Sequence, residues 1–317
     1  MSRLWGADEY NSFALDKYRS THSVIADPVG TEINQAWLRY AFDEKSSATL
    51  GRQRVNHAGQ RFLGGVGWRQ NEQTFDAASY RYGDAALGID YSYLWNVNRI
   101  FGGSRDSAQQ TDFDSDSHAA LVSYKHSWGT LIAFVYALAF NNGAGLSSLS
   151  YGLAYSGRLK TVSLNASYAT QADYGSNPVS YRADFYSLAG SVPAGKINLL
   201  VGYEVLGSDS GRAAFSTPLA TLHKFQGFAD IFLNTPVNGI EDLYLSASTS
   251  IDQFNFALTW HDFAAARGDA SYGSEWNFVS GYTFSSAVNS EIKYASYRSD
   301  GFAVDTDKIW LSMNMAF

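Results

Sequence analysis

The sequence predicts an all-β protein: an antiparallel transmembrane β-barrel with short turns at one end and long loops at the other. Three observations carry this. Apolar side chains recur at every second position in segments of about ten residues, the length a tilted membrane strand needs. The connections between those segments alternate short and long. The composition is 15% aromatic and only 17% charged, the latter below the roughly 25% of soluble domains.

Strands are expected at 32–43, 47–55, 70–82, 85–98, 116–126, 129–141, 147–157, 160–171, 180–191, 195–207, 241–250, 253–263, 273–284, 287–298 and 306–317. In the fourth, Leu87, Ile89, Tyr91, Tyr93, Trp95 and Val97 share one face, and Gly88, Asp90, Ser92, Asn96 and Asn98 share the other. In the sixth, Thr130, Ile132, Phe134, Tyr136, Leu138 and Phe140 alternate with small residues. The same period runs through Leu164, Ala166 and Tyr168, through Leu199, Val201 and Tyr203, and through Phe256, Leu258 and Trp260. The large face is assigned to lipid. The other face is small and polar, as a wet lumen requires.

The turns at 43–46, 83–84, 127–128, 157–159, 192–194, 251–252 and 285–286 are tight. The intervening connections are mostly longer, notably 56–69, 99–115 and 208–240. Outer-membrane barrels sort their loops this way, with short periplasmic turns and long external loops. The final segment places Ile309, Leu311, Met313, Met315 and Phe317 at alternate positions. It looks like the C-terminal strand that barrel-assembly machinery reads.

Fifteen strands is an odd number, and bacterial single-chain barrels are even. Residues 3–8 are therefore read as the end of a further strand. That gives about 16 strands in one domain over 1–317, with 1–31 an incomplete first strand and external loop. No secretion signal opens the sequence, so the chain is read as a mature, processed, truncated or engineered form.

Bulk properties narrow the function classes. Mean hydropathy is −0.21, and no apolar run reaches the roughly 18 residues of a transmembrane helix. Cysteine is absent, which removes thiol chemistry and thiolate metal sites. The net charge of −7 argues against nucleic acid as a partner. His22, His57, His118, His126, His223 and His261 form no paired metal-ligand spacing, and no nucleophile elbow occurs. His261 and Asp262 make a weak dyad at best. A barrel enzyme is thus the third reading, and no cofactor is expected. Asp112, Asp114 and Asp116 are read as a solvated acidic loop; a calcium site there is the lesser alternative.

Several stretches resemble the alginate-export family of outer-membrane porins: 26–40 (ADPVGTEINQAWLRY), 51–54 (GRQR), 60–62 (QRF), 67–76 (GWRQNEQTFD), 96–102 (NVNRIFG) and 217–225 (TPLATLHKF). The resemblance runs from about residue 26 to the C-terminus, and 51–76 is its most specific part. It implies a monomeric barrel in the outer membrane of a Gram-negative bacterium, with 18 strands in a full-length relative. It also implies passage of an anionic polyuronate.

Candidate solute-guiding residues are Arg39, Arg52, Arg54, Arg61, Arg69, Arg99, His223 and Lys224. Arg39, Arg52 and Arg54 are expected to form a basic ladder on the pore wall, because guanidinium forks suit carboxylates. The competing reading pairs lumen arginines with Asp76, Asp90, Glu204, Glu275 and Glu291. Loop 208–240 is too apolar to stay in water, and its 219–233 part has helix-like spacing. It is read as an inward-folded constriction with His223 and Lys224 facing the solute, or as a cap on other loops. The expected function is a channel for anionic or saccharide solutes. The alternative is a non-selective barrel whose lumen charges are structural. Expected partners are the lipid bilayer, lipopolysaccharide and the assembly machinery.

Overall fold

The computed structural model describes residues 25, 32–69, 71–102 and 110–316. The strands are β1 (Ala36–Ala41), β2 (Ser46–Gln53), β3 (Thr74–Gly83), β4 (Leu87–Asn98), β5 (Asp112–His126), β6 (Gly129–Leu138), β7 (Ser148–Leu159), β8 (Val162–Asp173), β9 (Arg182–Ala194) and β10 (Ile197–Leu206). A small hairpin follows, β11 (Ser208–Asp209) with β12 (Ala213–Ala214). The wall resumes with β13 (Ile240–Ile251), β14 (Phe254–Ala264), β15 (Ser271–Ser285), β16 (Val288–Ser299) and β17 (Thr306–Met315).

Fifteen strands form one antiparallel meander in sequence order, the hairpin standing apart. Each of the fifteen segments expected between 32 and 317 carries a strand. The loop sorting is also present: connections at one end span two to four residues, and those at the other span six or more. The short turns are locally encoded. Asp84 accepts hydrogen bonds from the amides of Leu87 (2.8 Å) and Ala86 (2.9 Å) and from the Tyr82 hydroxyl (2.9 Å). These donors favour the charged carboxylate and pull its pKa down to about 2. Among the described residues, β1 and β17 do not pair with each other, and no helix is long and apolar enough to cross a membrane. The further strand expected at 3–8, and Phe317, lie outside the described residues.

One face of the sheet is convex and apolar. Leu38, Leu50, Leu153, Leu188, Val201, Leu245, Leu258, Ile292 and Leu311 are between 43% and 80% exposed. A continuous apolar band of this kind needs lipid rather than water. On the other face, Phe75, Leu94, Phe134, Phe185, Phe263 and Tyr297 are almost fully buried. These come from β3 to β16, yet they surround the same two inward loops. The sheet therefore curls around them.

Four sequence-based expectations are corrected. Trp95 is unpaired in both registers: it is an extra residue of β4 against β3, whereas β5 sets Ser115 and Asp116 opposite it. A one-residue bulge reverses every side chain beyond it. Val97 thus turns inward and is fully buried, and Asn96 and Asn98 move to the other face. On β6 the large set, Phe134, Tyr136 and Leu138, faces inward instead of towards lipid, because the inward loops supply an apolar partner. Asp112, Asp114 and Asp116 are not a loop: they lie on β5, alternating with buried Phe113, Ser115 and Ser117. Among the described residues no group of three such ligands is placed to hold a metal.

The fourth correction concerns 219–233. It is not a helix, holding only a 3-10 turn at Leu222–Lys224. Gln226, Gly227 and Asp230 have φ of 50°, 80° and 59°, values no α-helix accepts. The apolar spacing serves separate anchors: Leu219 is buried beside Leu63, to which it is bridged, and Phe232 stacks among Phe263, Tyr272 and Phe302.

Candidate functional site

Two long loops, 54–73 and 207–239, fold into the concave face from the long-loop end and fill its upper half. They hold each other first by backbone. Gly64 N–H donates to Leu219 O (2.8 Å), and Thr221 N–H donates to Gln60 O (3.0 Å). The Gln73 side-chain amide donates to both Gly64 O and Leu219 O. Phe62 then anchors the pair to the wall, with ring centroids 4.8 Å from Phe134 and 5.2 Å from Phe185.

Charge closes the plug against β10. The Arg61 Nε lies 3.1 Å from each Glu204 oxygen, and Arg61 Nη1 donates to the Thr217 hydroxyl at 2.9 Å. Both ionic side chains are about nine-tenths buried. The guanidinium sits 4.7 Å from the Phe225 ring centroid, and Gln226 donates to the same carboxylate. Arg54 forks onto Glu72 at 2.7 and 2.6 Å, and Asn34 also donates to Glu72.

The tip of the second loop docks on β15. The Ala229 amide donates to Glu275 Oε1 (2.8 Å), and the Phe228 amide to Asn277 Oδ1 (3.1 Å). Gly227 makes this approach possible: a Cβ there would lie 2.5 Å from the Glu275 carboxyl group, and its φ of 80° is left-handed. His223 is 3% exposed. Its Nδ1 is 2.9 Å from Asp230 Oδ1, and its ring stacks on Trp68 at 3.8 Å. Burial, opposed by Asp230, holds the His223 pKa below its ordinary value. The neutral ring then carries its proton on Nδ1, towards the carboxylate.

Above the plug lies a cavity of 520 Å3. Among the described residues, Arg69, Arg99, Lys308 and His223 line it with one carboxylate, Asp230. The rest is largely apolar, including Phe101, Leu222, Ile231 and Val304. Arg69 reaches Asp230 at 3.5 Å and covers the Trp68 ring at 4.4 Å. Arg99 donates to Gln110 O (3.0 Å) and lies 4.7 Å from the ring centroids of Phe101 and Phe113. It has no carboxylate partner among the described residues. Below the plug the wall is polar, and a second cavity of 240 Å3 is lined by Arg39, Ser47, Thr49, Ser79, Arg81 and Asp90.

The register separates the expected ladder. Arg39 pairs across from Thr49, whereas Arg52 pairs across from Asp76 and Ala36. Arg39 and Arg52 therefore face opposite sides of the sheet. Arg39 donates to the Ser47 hydroxyl at 3.0 Å; Arg52 forks onto Asp76 at 2.8 and 3.1 Å on the other face. Arg54 lies past the end of β2 and is held by Glu72. The inward partner of Arg39 is Arg81, across from Ser47 and bound to Asp90 at 2.7 Å. Lys224 is exposed and donates to Gly59 O at 3.1 Å. His261 pairs with Asp242 on the neighbouring strand at 2.9 Å rather than with Asp262. No serine hydroxyl bonds to it among the described residues.

Sequence reasoning missed Arg81, Lys293 and Lys308. Arg81 was legible in principle: it follows Phe75, Ala77 and Ser79 at even spacing on β3.

No protein-family model matches this chain, and no characterised protein matches it in sequence. Solved structures match it in fold. The fold is similar to a BenF-like porin from Pseudomonas fluorescens Pf-5, with TM-score 0.65, 14% identity, and 86% of this chain and 75% of that one covered. It is similar to Pseudomonas aeruginosa OccK9 (OpdG), with TM-score 0.63, 16% identity and coverage of 86% and 73%. It is similar to Pseudomonas aeruginosa OpdK, solved with vanillate, with TM-score 0.63, 16% identity and coverage of 86% and 76%. The likeness is one of fold. It shows the β-barrel architecture those porins share and does not single out alginate export.

Proposed function

We propose that this chain is an outer-membrane channel that passes small anionic solutes by diffusion. One observation carries the reading. The cavity at the long-loop end presents Arg69, Arg99 and Lys308 against Asp230, the single carboxylate among the described residues that line it. Three fixed cations at a narrow mouth lower the electrostatic cost of an anion and raise that of a cation. The convex apolar band supports a membrane setting, and the likeness to solved porins supports the outer membrane. The long-loop end is then external, and the apolar strand face meets lipid and lipopolysaccharide. The chain acts as a monomer without a cofactor or catalytic step, and its C-terminal strand is read by the assembly machinery.

The finer reading is that the solute is compact. A cavity of 520 Å3 accommodates one small acid. Its apolar part suits a ring or short chain, as in the vanillate that OpdK was solved with. A polyuronate or neutral saccharide would leave those apolar walls unmatched. The test is reversal potential across a planar bilayer under a salt gradient, with chloride and benzoate as probes. Anion preference supports the reading; cation preference removes it. A second reading, a channel closed at rest, is favoured by the buried Arg61–Glu204 pair, and the same recording shows it as absent current.

A further inference from the structure

Behind His223, just beneath the lining of the upper cavity, lies a cluster of rings with unused hydrogen-bonding atoms. His223 lines the cavity and touches three rings: Trp68 at 3.8 Å, Phe228 at 5.0 Å and Trp310 at 5.2 Å. Asn277 holds the Phe228 amide from below. Trp68 Nε1, Trp310 Nε1, Asn277 Nδ2 and His223 Nε2 are all buried without a partner among the described residues. Asn277 and His223 are themselves only 2% and 3% exposed.

Buried polar groups ordinarily find partners, and several orphans in one place call for an occupant. Here three of the four are donors in every protonation state: two indole N–H groups and one amide NH2. A cation stands beside them. Lys293 Nζ lies 5.1 Å from the Trp68 ring centroid and 5.4 Å from that of Phe228, with Glu291 3.3 Å away. The Glu275 carboxylate is also near, but Gly227 caps its unbonded Oε2. An acceptor-rich group matches this set, and a donor-rich one does not.

We infer that the Trp68–Trp310–Asn277 cluster is a second solute station, which takes the oxygens of a carboxylate from the upper cavity through indole and amide N–H donors. It rests on the anionic-solute reading above and adds a stopping point inside the constriction. The aromatic walls supply contact for the body of the acid, while the N–H groups hold its head. Neutral donors suit a passage site: they orient a carboxylate without the tight grip of a second guanidinium fork.

The test is calorimetric titration of the full chain, in detergent micelles, with sodium benzoate. Trp68→Phe with Trp310→Phe keeps the rings and removes both N–H groups. Asn277→Asp keeps the oxygen that accepts from Phe228 and replaces the NH2 by a second carboxylate oxygen. Gel mobility before and after heating reports whether each variant is a folded barrel. A roughly tenfold loss of benzoate affinity in both variants, with folding retained, is expected. Wild-type affinity in both, together with weaker binding by Arg99→Gln, would overturn the station and leave the anion channel standing: the donors then hold water only. Should Asn277→Asp not fold, the double tryptophan variant decides alone. A wild-type chain that binds no benzoate and prefers cations would remove the station along with the reading it rests on.

Discussion

Arg61 and Glu204, 143 residues apart, meet with the guanidinium Nε 3.1 Å from each carboxylate oxygen, inside the barrel and out of water. This pair joins the first inward loop to the wall, with Thr217 of the second loop on the same guanidinium. Among the described residues, Arg61→Gln leaves the buried carboxylate with Gln226 as its side-chain hydrogen-bond donor. Breaking one side of a buried pair costs about 3–5 kcal/mol, whereas replacing both sides by apolar groups is often neutral. Arg61→Gln is expected to lower the urea midpoint, and Arg61→Met with Glu204→Leu to restore most of it. Equal midpoints for wild type and Arg61→Gln would show that the pair does not hold the plug.

Gly227→Ala tests the docking of the loop tip on Glu275. The new methyl group would sit 2.5 Å from the carboxyl group, on a backbone with φ of 80°. A left-handed non-glycine residue alone costs on the order of 1–3 kcal/mol. The 207–239 loop is expected to be cut faster by added protease and single-channel conductance to rise. Unchanged values for both would mean that the tip is not held by this contact.

Acid should loosen the plug through His57, which lies in the first inward loop. Burial is the main cause that drives its pKa down to about 4, with Asp90 opposing and Arg81 assisting. The folded state therefore keeps the ring neutral while the unfolded chain protonates near its ordinary value. The stabilisation is full above about pH 6.5 and is lost as pH falls towards 4. The shift corresponds to roughly 3 kcal/mol. His57→Phe preserves a ring against Tyr136, 5.8 Å away, and is expected to flatten the fall in urea midpoint between pH 7 and pH 4. An equally steep fall in the variant would place the acid sensitivity elsewhere.

Most of the wall was legible because a strand writes its two faces at alternate positions and loop length records the end of the barrel. Legibility failed where one residue changes parity. Trp95 flips the remainder of β4, and nothing local announces it. Arg39 and Arg52 both read as polar-face residues, but the pairing of β1 with β2 sets them on opposite sides. The interior failed for a different reason. Phe134 and Tyr136 look like lipid-facing residues until Phe62 and His57 of the 54–73 loop arrive to cover them, and those contacts are far from local in sequence. The 219–233 spacing imitates a helix although its anchors meet separate parts of the fold, Leu219 on Leu63 of the other loop and Phe232 on Phe263 and Tyr272 of the wall.

The most direct measurement is the zero-current potential of the chain in a planar bilayer under a tenfold potassium chloride gradient, compared with Arg99→Gln combined with Lys308→Gln. An anion-preferring potential in the wild type that moves towards zero in the variant is the expected result. A cation-preferring wild type, or an anion preference that the two substitutions leave unchanged, would contradict the assignment of the upper cavity as the selective mouth of an anion channel.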